Sequence, residues 1–204
     1  MTSGGMDSTV MVYWALTKGY DVTPLFIDYG QHCAATERKT LRSVLPKELL
    51  NKTQYISVAD VFRASPSCLI RQPNLWTDKI SSEDLMLPYR NLFLLATAVA
   101  FAASRGSSVA LAAFINSNLA SEIDATSAFL KGVGSLVNET GNVELEMPFR
   151  NMSKAEVARM GLALNVPIAS TYSCQANAIE HCGACPNCVE RLNALHSAAH
   201  FDSL

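Results

Sequence analysis

The sequence is short of charge. Asp, Glu, Lys and Arg make up 17% of its 204 residues, and the formal net charge is −2, where an average soluble chain carries about 25%. No global basic field exists, so stable nucleic-acid binding is not expected. Long apolar runs are missing as well. The best candidate, Leu92 to Ala103, contains Thr97 and reads as a buried helix, not a membrane span. No secretory signal pattern precedes the first motif, and no Walker-type G-x-x-x-x-G-K-S/T occurs. Six cysteines do not make a disulfide scaffold at this length. These absences point to a cytoplasmic protein. What remains is a 49% hydrophobic chain able to bury one sizeable core.

Helix-like and strand-like stretches alternate. The pattern predicts helices over Ser8–Thr17, Ala34–Leu50 (interrupted at Pro46), Leu92–Ser104, Glu122–Lys131 and Ser153–Leu164. It predicts strands over Val22–Asp28, Gln54–Val58, Ser108–Phe114 and Val143–Met147. Ser153 with Glu156 three residues on is a capping box. Such alternation implies a doubly wound α/β fold, a mostly parallel sheet with helices on both faces, whose ligands sit at the carboxyl ends of the strands. Arg63 to Leu87 is irregular and long enough for a lid.

Two segments carry chemistry. Ser3-Gly4-Gly5-Met6-Asp7-Ser8 places a glycine pair between hydroxyls and ahead of a helix. Glycines let backbone amides approach an anion, and the helix start adds unpaired N–H groups. The residues alone leave open an ordinary glycine turn with Asp7 or Ser8 as N-cap. At the other end, Cys174, Cys182, Cys185 and Cys188 supply four thiolates within fifteen residues, with Gly183 and Pro186 as turn formers. This spacing suits a structural zinc with no open position, although four cysteines also suit an iron–sulfur cluster. Cys33 and Cys68 read as packing residues, His181 as a solvated loop histidine, and Glu37 and Arg38 as a solvated helix face.

The loop resembles the SGGxDS pyrophosphate loop of the N-type ATP pyrophosphatases, which have an adenine nucleotide alpha hydrolase-like fold. With the cysteine cluster at the opposite end, the chain resembles the QueC family of 7-cyano-7-deazaguanine synthases. Further matching segments are Asp28-Tyr29-Gly30-Gln31-His32 with Glu37, Leu87-Pro88-Tyr89-Arg90-Asn91, and Ser153-Lys154-Ala155-Glu156-Val157 with Gly161. Val166-Pro167, Thr171-Tyr172-Ser173-Cys174 and the closing cysteine run to Arg191 complete the match.

The resemblance implies a reaction in which ATP adenylylates the carboxylate of 7-carboxy-7-deazaguanine. Ammonia then displaces AMP, and a second ATP drives dehydration to the nitrile. It implies ATP binding by Ser3, Gly4, Gly5, Met6, Asp7, Ser8 and Asp28, with Asp7 placing Mg²⁺. Asp7, Arg90 and Lys154 would be catalytic, and Arg90, Asn91 and Asp124 would meet the substrate. Residues 1–170 would form the nucleotide-binding domain and 171–204 a zinc-binding tail packed on it. A homodimer is also implied.

In such folds the loop leaves the first strand, yet only Met1 and Thr2 precede it here; a start lying further upstream is the expectation. One region departs from the family. Its Tyr-Pro-Asp-Cys-Arg-like stretch lies where Phe114 to Leu130 stands, and here only Asp124 matches. The alternative is therefore a QueC-like enzyme of bacterial defence systems that passes the activated acyl group to another amine, such as a partner protein's N-terminus. An RNA-thiolating relative would need a catalytic cysteine pair, and a zinc-stabilised nucleic-acid module would need clustered basic and aromatic residues. Neither pattern is found.

Overall fold

The computed structural model describes residues 1–74, 76–81, 83–116 and 125–200. Asp124 and the start of the helix expected over Glu122–Lys131 lie outside the described residues.

Helix α1 (Met6–Thr17) leads into β1 (Leu25–Asp28), α2 (Ala34–Val44), the single turn α3 (Lys47–Leu50) and β2 (Gln54–Ser57). After a long irregular stretch come α4 (Arg90–Ser104), β3 (Val109–Leu111), α5 (Ser127–Thr140), β4 (Glu144–Glu146), α6 (Lys154–Ala163) and α7 (Pro186–His200). β1 pairs in parallel with β2, Leu25 opposite Gln54, and β3 pairs in parallel with β4, Val109 opposite Glu144. Met1 and Thr2 join these two pairs. The Thr2 N–H donates to Leu25 O at 2.7 Å, and the Met1 amine donates to Leu111 O at 2.8 Å. Two residues thus stand at the sheet position where the resemblance expects a first strand. Behind them the pairs stay apart around a groove of about 700 Å³, lined by Val22, Pro24, Ala98, Phe101, Ser108 and Ala110 among others.

Side-chain alternation along the strands sends the layers to opposite faces. Phe26 packs with Val12 of α1 and with Leu41, Leu45 and Leu49 of the α2–α3 corner. Its neighbours Leu25 and Ile27 pack with Leu94 and Ala98 of α4. In the second pair Ala112 meets Leu95, Leu130 and Val133 of α4 and α5, while Leu111 packs beside Val10, Val157, Ile168 and Ala198 of the other layer. The fold is therefore α/β with parallel strands and helices on both faces.

The element bounds are narrower than the sequence pattern for strands, while three helices reach beyond it, α1 starting at Met6 and not at Ser8. α4 begins at Arg90, two residues before the apolar run, and α5 continues to Thr140 past Gly132 and Gly134. The glycines do not stop α5 because Leu130, Val133 and Val137 form a buried stripe that holds it in place. Ser153 and Glu156 form the expected capping box at α6. Arg63–Leu87 contains no helix or strand among its described residues, but it is pinned. Leu69 and Leu87 are core residues, His32 N–H donates to Leu69 O at 2.9 Å, and Cys68 N–H donates to Asp84 O at 2.8 Å. No helix among the described residues is long and apolar enough to cross a membrane.

Gly161 marks where α6 closes on α1. A Cβ there would lie 2.7 Å from both Ile168 Cδ1 and Val10 Cγ2, so Gly161→Ala is expected to cost about 1–3 kcal/mol by overpacking. Gly134 in α5 meets nothing within 4 Å, and Gly134→Ala is expected to gain about 0.5–1 kcal/mol. Thermal melts of the two variants should therefore move in opposite directions, by about 2–4 °C per kcal/mol.

Candidate active site and metal centre

The glycine loop is held from three sides. Gly4 adopts φ +77°, and a Cβ on it would stand 2.9 Å from Leu41 N and 3.0 Å from Glu37 O of α2. Only glycine fits this approach. Gly4 O in turn accepts the Tyr172 N–H at 3.0 Å, which ties the loop to the C-terminal segment. Ser8 Oγ accepts from Ser3 N–H at 3.2 Å, donates to Gly5 O at 3.2 Å, and lies 3.3 Å from Ser3 Oγ. The N-cap of α1 is Gly5, with no side-chain cap. Neither Asp7 nor Ser8 therefore caps the helix, and its first amides stay available to an anion.

These residues open into a cavity of about 310 Å³ at the carboxyl end of β1, within the range of small-molecule sites. Ser3, Gly5, Met6, Asp7 and Ser8 line it together with Arg90, Asn91 and Lys154. Segments distant in sequence thus converge on one space. Asp28 does not line it; its Oδ1 accepts the Gly30 N–H at 3.0 Å and so orders the turn after β1.

Charges inside are arranged in pairs. Lys154 Nζ lies 3.2 Å from Asp7 Oδ2 and 3.0 Å from Glu190 Oε2. Burial works against the Lys154 ammonium, but the two carboxylates more than offset this and leave its pKa raised. The other oxygen, Asp7 Oδ1, is buried with no hydrogen-bond partner. A buried, unpartnered carboxylate oxygen on a cavity-lining residue suits a divalent cation travelling with a nucleotide. Arg90 follows Tyr89, which is exposed yet holds φ +63°. A left-handed non-glycine residue costs about 1–3 kcal/mol and persists where its surroundings enforce it. Arg90 Nε donates to Asn91 Oδ1 at 3.2 Å, and Asn91 is buried.

Glu37 is not a solvated face residue. It is buried and lines the cavity, where its Oε2 accepts from Gln31 Nε2 at 2.8 Å. Gln31 Oε1 itself accepts the Tyr29 N–H at 2.9 Å. Helix periodicity did place Glu37 one turn ahead of buried Leu41, which was the one available signal for an inward carboxylate. Arg38, its neighbour, does face outward, with its guanidinium 4.7 Å from the Tyr55 ring centroid. Tyr172, Ser173, Gln175 and Asn187 also line the cavity, and spacing alone gave no reason to choose them.

The four cysteines meet at the start of α7. Their Sγ atoms all lie within 4.8 Å of one another, among the described residues. Four sulfurs about 2.3 Å from one tetrahedral zinc stand roughly 3.8 Å apart, so the cluster fits a metal such as zinc with little adjustment. Backbone donors already favour thiolates. Asn177 N–H and Cys182 N–H point at Cys174 Sγ at 3.3 and 3.5 Å, and Ala184 N–H and Cys185 N–H point at Cys182 Sγ at 3.4 and 3.2 Å. Hydrogen bonding, first from the Cys185 thiol, pulls the Cys174 thiol down to about 4. Cys33 packs against this cluster and Cys68 is buried elsewhere, both as packing residues. His181 is exposed but not free: its ring stacks on Tyr172 at 5.2 Å and its Nε2 accepts the Ser173 N–H at 3.1 Å.

The fold and the site define an α/β protein with a glycine-rich loop at the start of α1 and, beside it, a four-cysteine cluster that could hold a metal such as zinc. A family model described as "Queuosine biosynthesis protein QueC" matches residues 1–199, and the chain belongs to that family. Curated relatives are similar over nearly their full lengths. A "7-cyano-7-deazaguanine synthase" of Campylobacter concisus (strain 13826) is 27% identical over 209 residues, 99% of this chain and 95% of that one. One from Methanoculleus marisnigri is 29% identical over 214 residues, 100% of this chain and 96% of that one. A "7-cyano-7-deazaguanine synthase 1" of Desulfitobacterium hafniense (strain Y51) is 29% identical over 201 residues, 95% and 88%.

Two outcomes are expected. Cys185→Ser should release a metal that wild type holds at one per chain and lower the melting temperature, with elemental analysis deciding between zinc and iron. Burial raises the Glu37 pKa above its ordinary value. Its folded form therefore holds a proton more tightly than the unfolded chain does, a contribution present at low pH and lost as pH rises through the folded pKa. Glu37→Gln should raise the melting temperature more at pH 8 than at pH 5, measured by parallel thermal scans.

Proposed function

We propose that the protein is an ATP-dependent carbon–nitrogen ligase acting on 7-carboxy-7-deazaguanine. Its carboxylate oxygen attacks the α-phosphorus of ATP, the α–β bond breaks, and pyrophosphate leaves. Ammonia attacks the acyl adenylate, AMP departs with the oxygen, and a proton is lost to give the amide. The amide oxygen then attacks the α-phosphorus of a second ATP, pyrophosphate leaves, and loss of AMP and of both nitrogen protons yields the nitrile, 7-cyano-7-deazaguanine. The observation that carries this reading is the single cavity shared by the glycine loop, Asp7, Lys154, Arg90 and Asn91.

Each residue's chemistry fits a role. Loop amides with the Ser3 and Ser8 hydroxyls hold the phosphates that leave, as preorganised donors do where charge develops. Mg²⁺, when bound through Asp7, would neutralise charge on the departing pyrophosphate. Lys154 brings an ammonium that stays protonated, suited to a phosphate oxygen. Arg90 offers a planar fork for the acid's carboxylate, and Asn91 an amide for the base edge. Asp28 orders the turn beside the nucleotide, and Asp124 is assigned to the acceptor side. Residues 1–170 form the nucleotide-binding part and 171–204 the metal tail in this reading, and two chains associate as a dimer.

The departure between Phe114 and Leu130 favours one variant: the same activation followed by transfer to another amine, such as a protein N-terminus. Incubation with ATP, Mg²⁺, ammonium and 7-carboxy-7-deazaguanine separates the cases. The expected products are AMP, pyrophosphate and the nitrile. AMP without a free nitrile supports the other acceptor, and no nucleotide turnover refutes both. Lys154→Ala is expected to lower kcat by about 10²–10³, the size seen when one preorganised donor is lost. Arg90→Ala should raise KM for the acid by about 10–100-fold, one charge-assisted contact.

A further inference from the structure

Glu190 is an unspecified position of the closing cysteine run, between Cys188 and Arg191, yet it is one of the two carboxylates that hold Lys154. It stands on α7 two residues after Cys188, and its Oε2 is 3.0 Å from Lys154 Nζ. All three side chains are largely buried, with exposures of 12% for Lys154, 22% for Asp7 and 24% for Glu190. Their backbones are fixed. The capping box on Ser153 sets Lys154 as the first residue of α6, and Asp7 sits in the first turn of α1. Next to Glu190, Arg191 locks α7 by donating to Ile168 O and Thr171 Oγ1, both at 2.6 Å.

The charge count decides what this does. Within the trio, one ammonium shared by two carboxylates leaves one net negative charge, with the Arg191 guanidinium acting on Asp7 from α7 beside it. The one unpartnered buried oxygen of the trio is Asp7 Oδ1, on a residue that lines the cavity with the loop. Were Lys154 to pair with Asp7 alone, that pair would be neutral and would attract a cation weakly.

We propose that Glu190 is a positioning residue, which shares the Lys154 ammonium with Asp7, holds it on Asp7 Oδ2, and so leaves Asp7 Oδ1 open to the divalent cation of the nucleotide. Because it is carried by the helix that also supplies Cys188, the cysteine-bound metal and the loop cation are mechanically linked. This rests on the nucleotide part of the proposed function but not on the identity of the acid.

The test is Mn²⁺ binding, followed by electron paramagnetic resonance in the presence of a non-hydrolysable ATP analogue, on full-length zinc-loaded protein. Glu190→Gln keeps size and an acceptor but removes the charge. The Mn²⁺ dissociation constant should rise about tenfold, the size of one charge-assisted contact, and the half-saturating Mg²⁺ for AMP release should rise with it. Melting temperature and cysteine-bound metal should not change. In a Lys154→Met background the same substitution should have no further effect, because Glu190 acts through that ammonium. The proposal is overturned if Mn²⁺ affinity in Glu190→Gln is unchanged, or if its loss tracks loss of zinc. It is equally overturned if the effect survives in Lys154→Met, or if wild type binds no Mn²⁺–nucleotide. Failure to turn over 7-carboxy-7-deazaguanine while Mn²⁺ binding behaves as described would sink the reaction and leave this inference standing.

Discussion

The loop depends on the closeness of Gly4 to the backbone of α2. With 2.9 Å between a would-be Cβ and Leu41 N, no side chain fits, and the positive φ excludes most residues on its own. This approach sets the direction of the loop, and Tyr172 N–H closes the third side through Gly4 O. Every contact of the cavity is built outward from that fixed turn: the Ser3–Ser8 hydroxyl pair, the uncapped start of α1, and Asp7 one residue inside the helix. In the proposed function, phosphate recognition is a matter of backbone held still, with side chains adding charge around it.

Charge inside the cavity is handled by sharing. Burying Lys154, Asp7 or Glu190 alone would cost several kcal/mol, yet Lys154 is hydrogen-bonded to both carboxylates, and the Arg191 guanidinium acts on Asp7 as well. Glu37 is treated differently. Gln31 and Cys33 hydrogen-bond it, but burial still raises its affinity for a proton. The cysteine cluster adjoins both groups, through Cys33 on one side and α7 on the other. A low-charge chain thus concentrates its buried charges where ligands would compensate them.

Much of this was legible in the residues. Strand and helix alternation announced the layers, because periods of 2 and 3.6 are local consequences of backbone geometry. The loop and the cysteine run were legible because each is a short segment whose spacing is its chemistry. Less legible were α5 beyond Lys131, held by a buried stripe that outweighs two glycines, and Glu37, whose polar neighbours Arg38 and Lys39 disguise an inward position. Glu190 gave no signal at all: an acid beside a cysteine ligand on a helix is unremarkable until Lys154 is seen opposite it.

By itself the sequence determined the class of fold, the glycine-rich loop, the cysteine set and the resemblance to the QueC family, since all of these are written in local pattern. Tertiary structure alone decided which charged groups face one another. Residues 7, 154 and 190 come together only because α1, α6 and α7 pack on one face of the sheet. Met1 and Thr2 could bridge two strand pairs only once those pairs had taken their places. Contacts between distant segments depend on the packing of whole elements, and no local period encodes them.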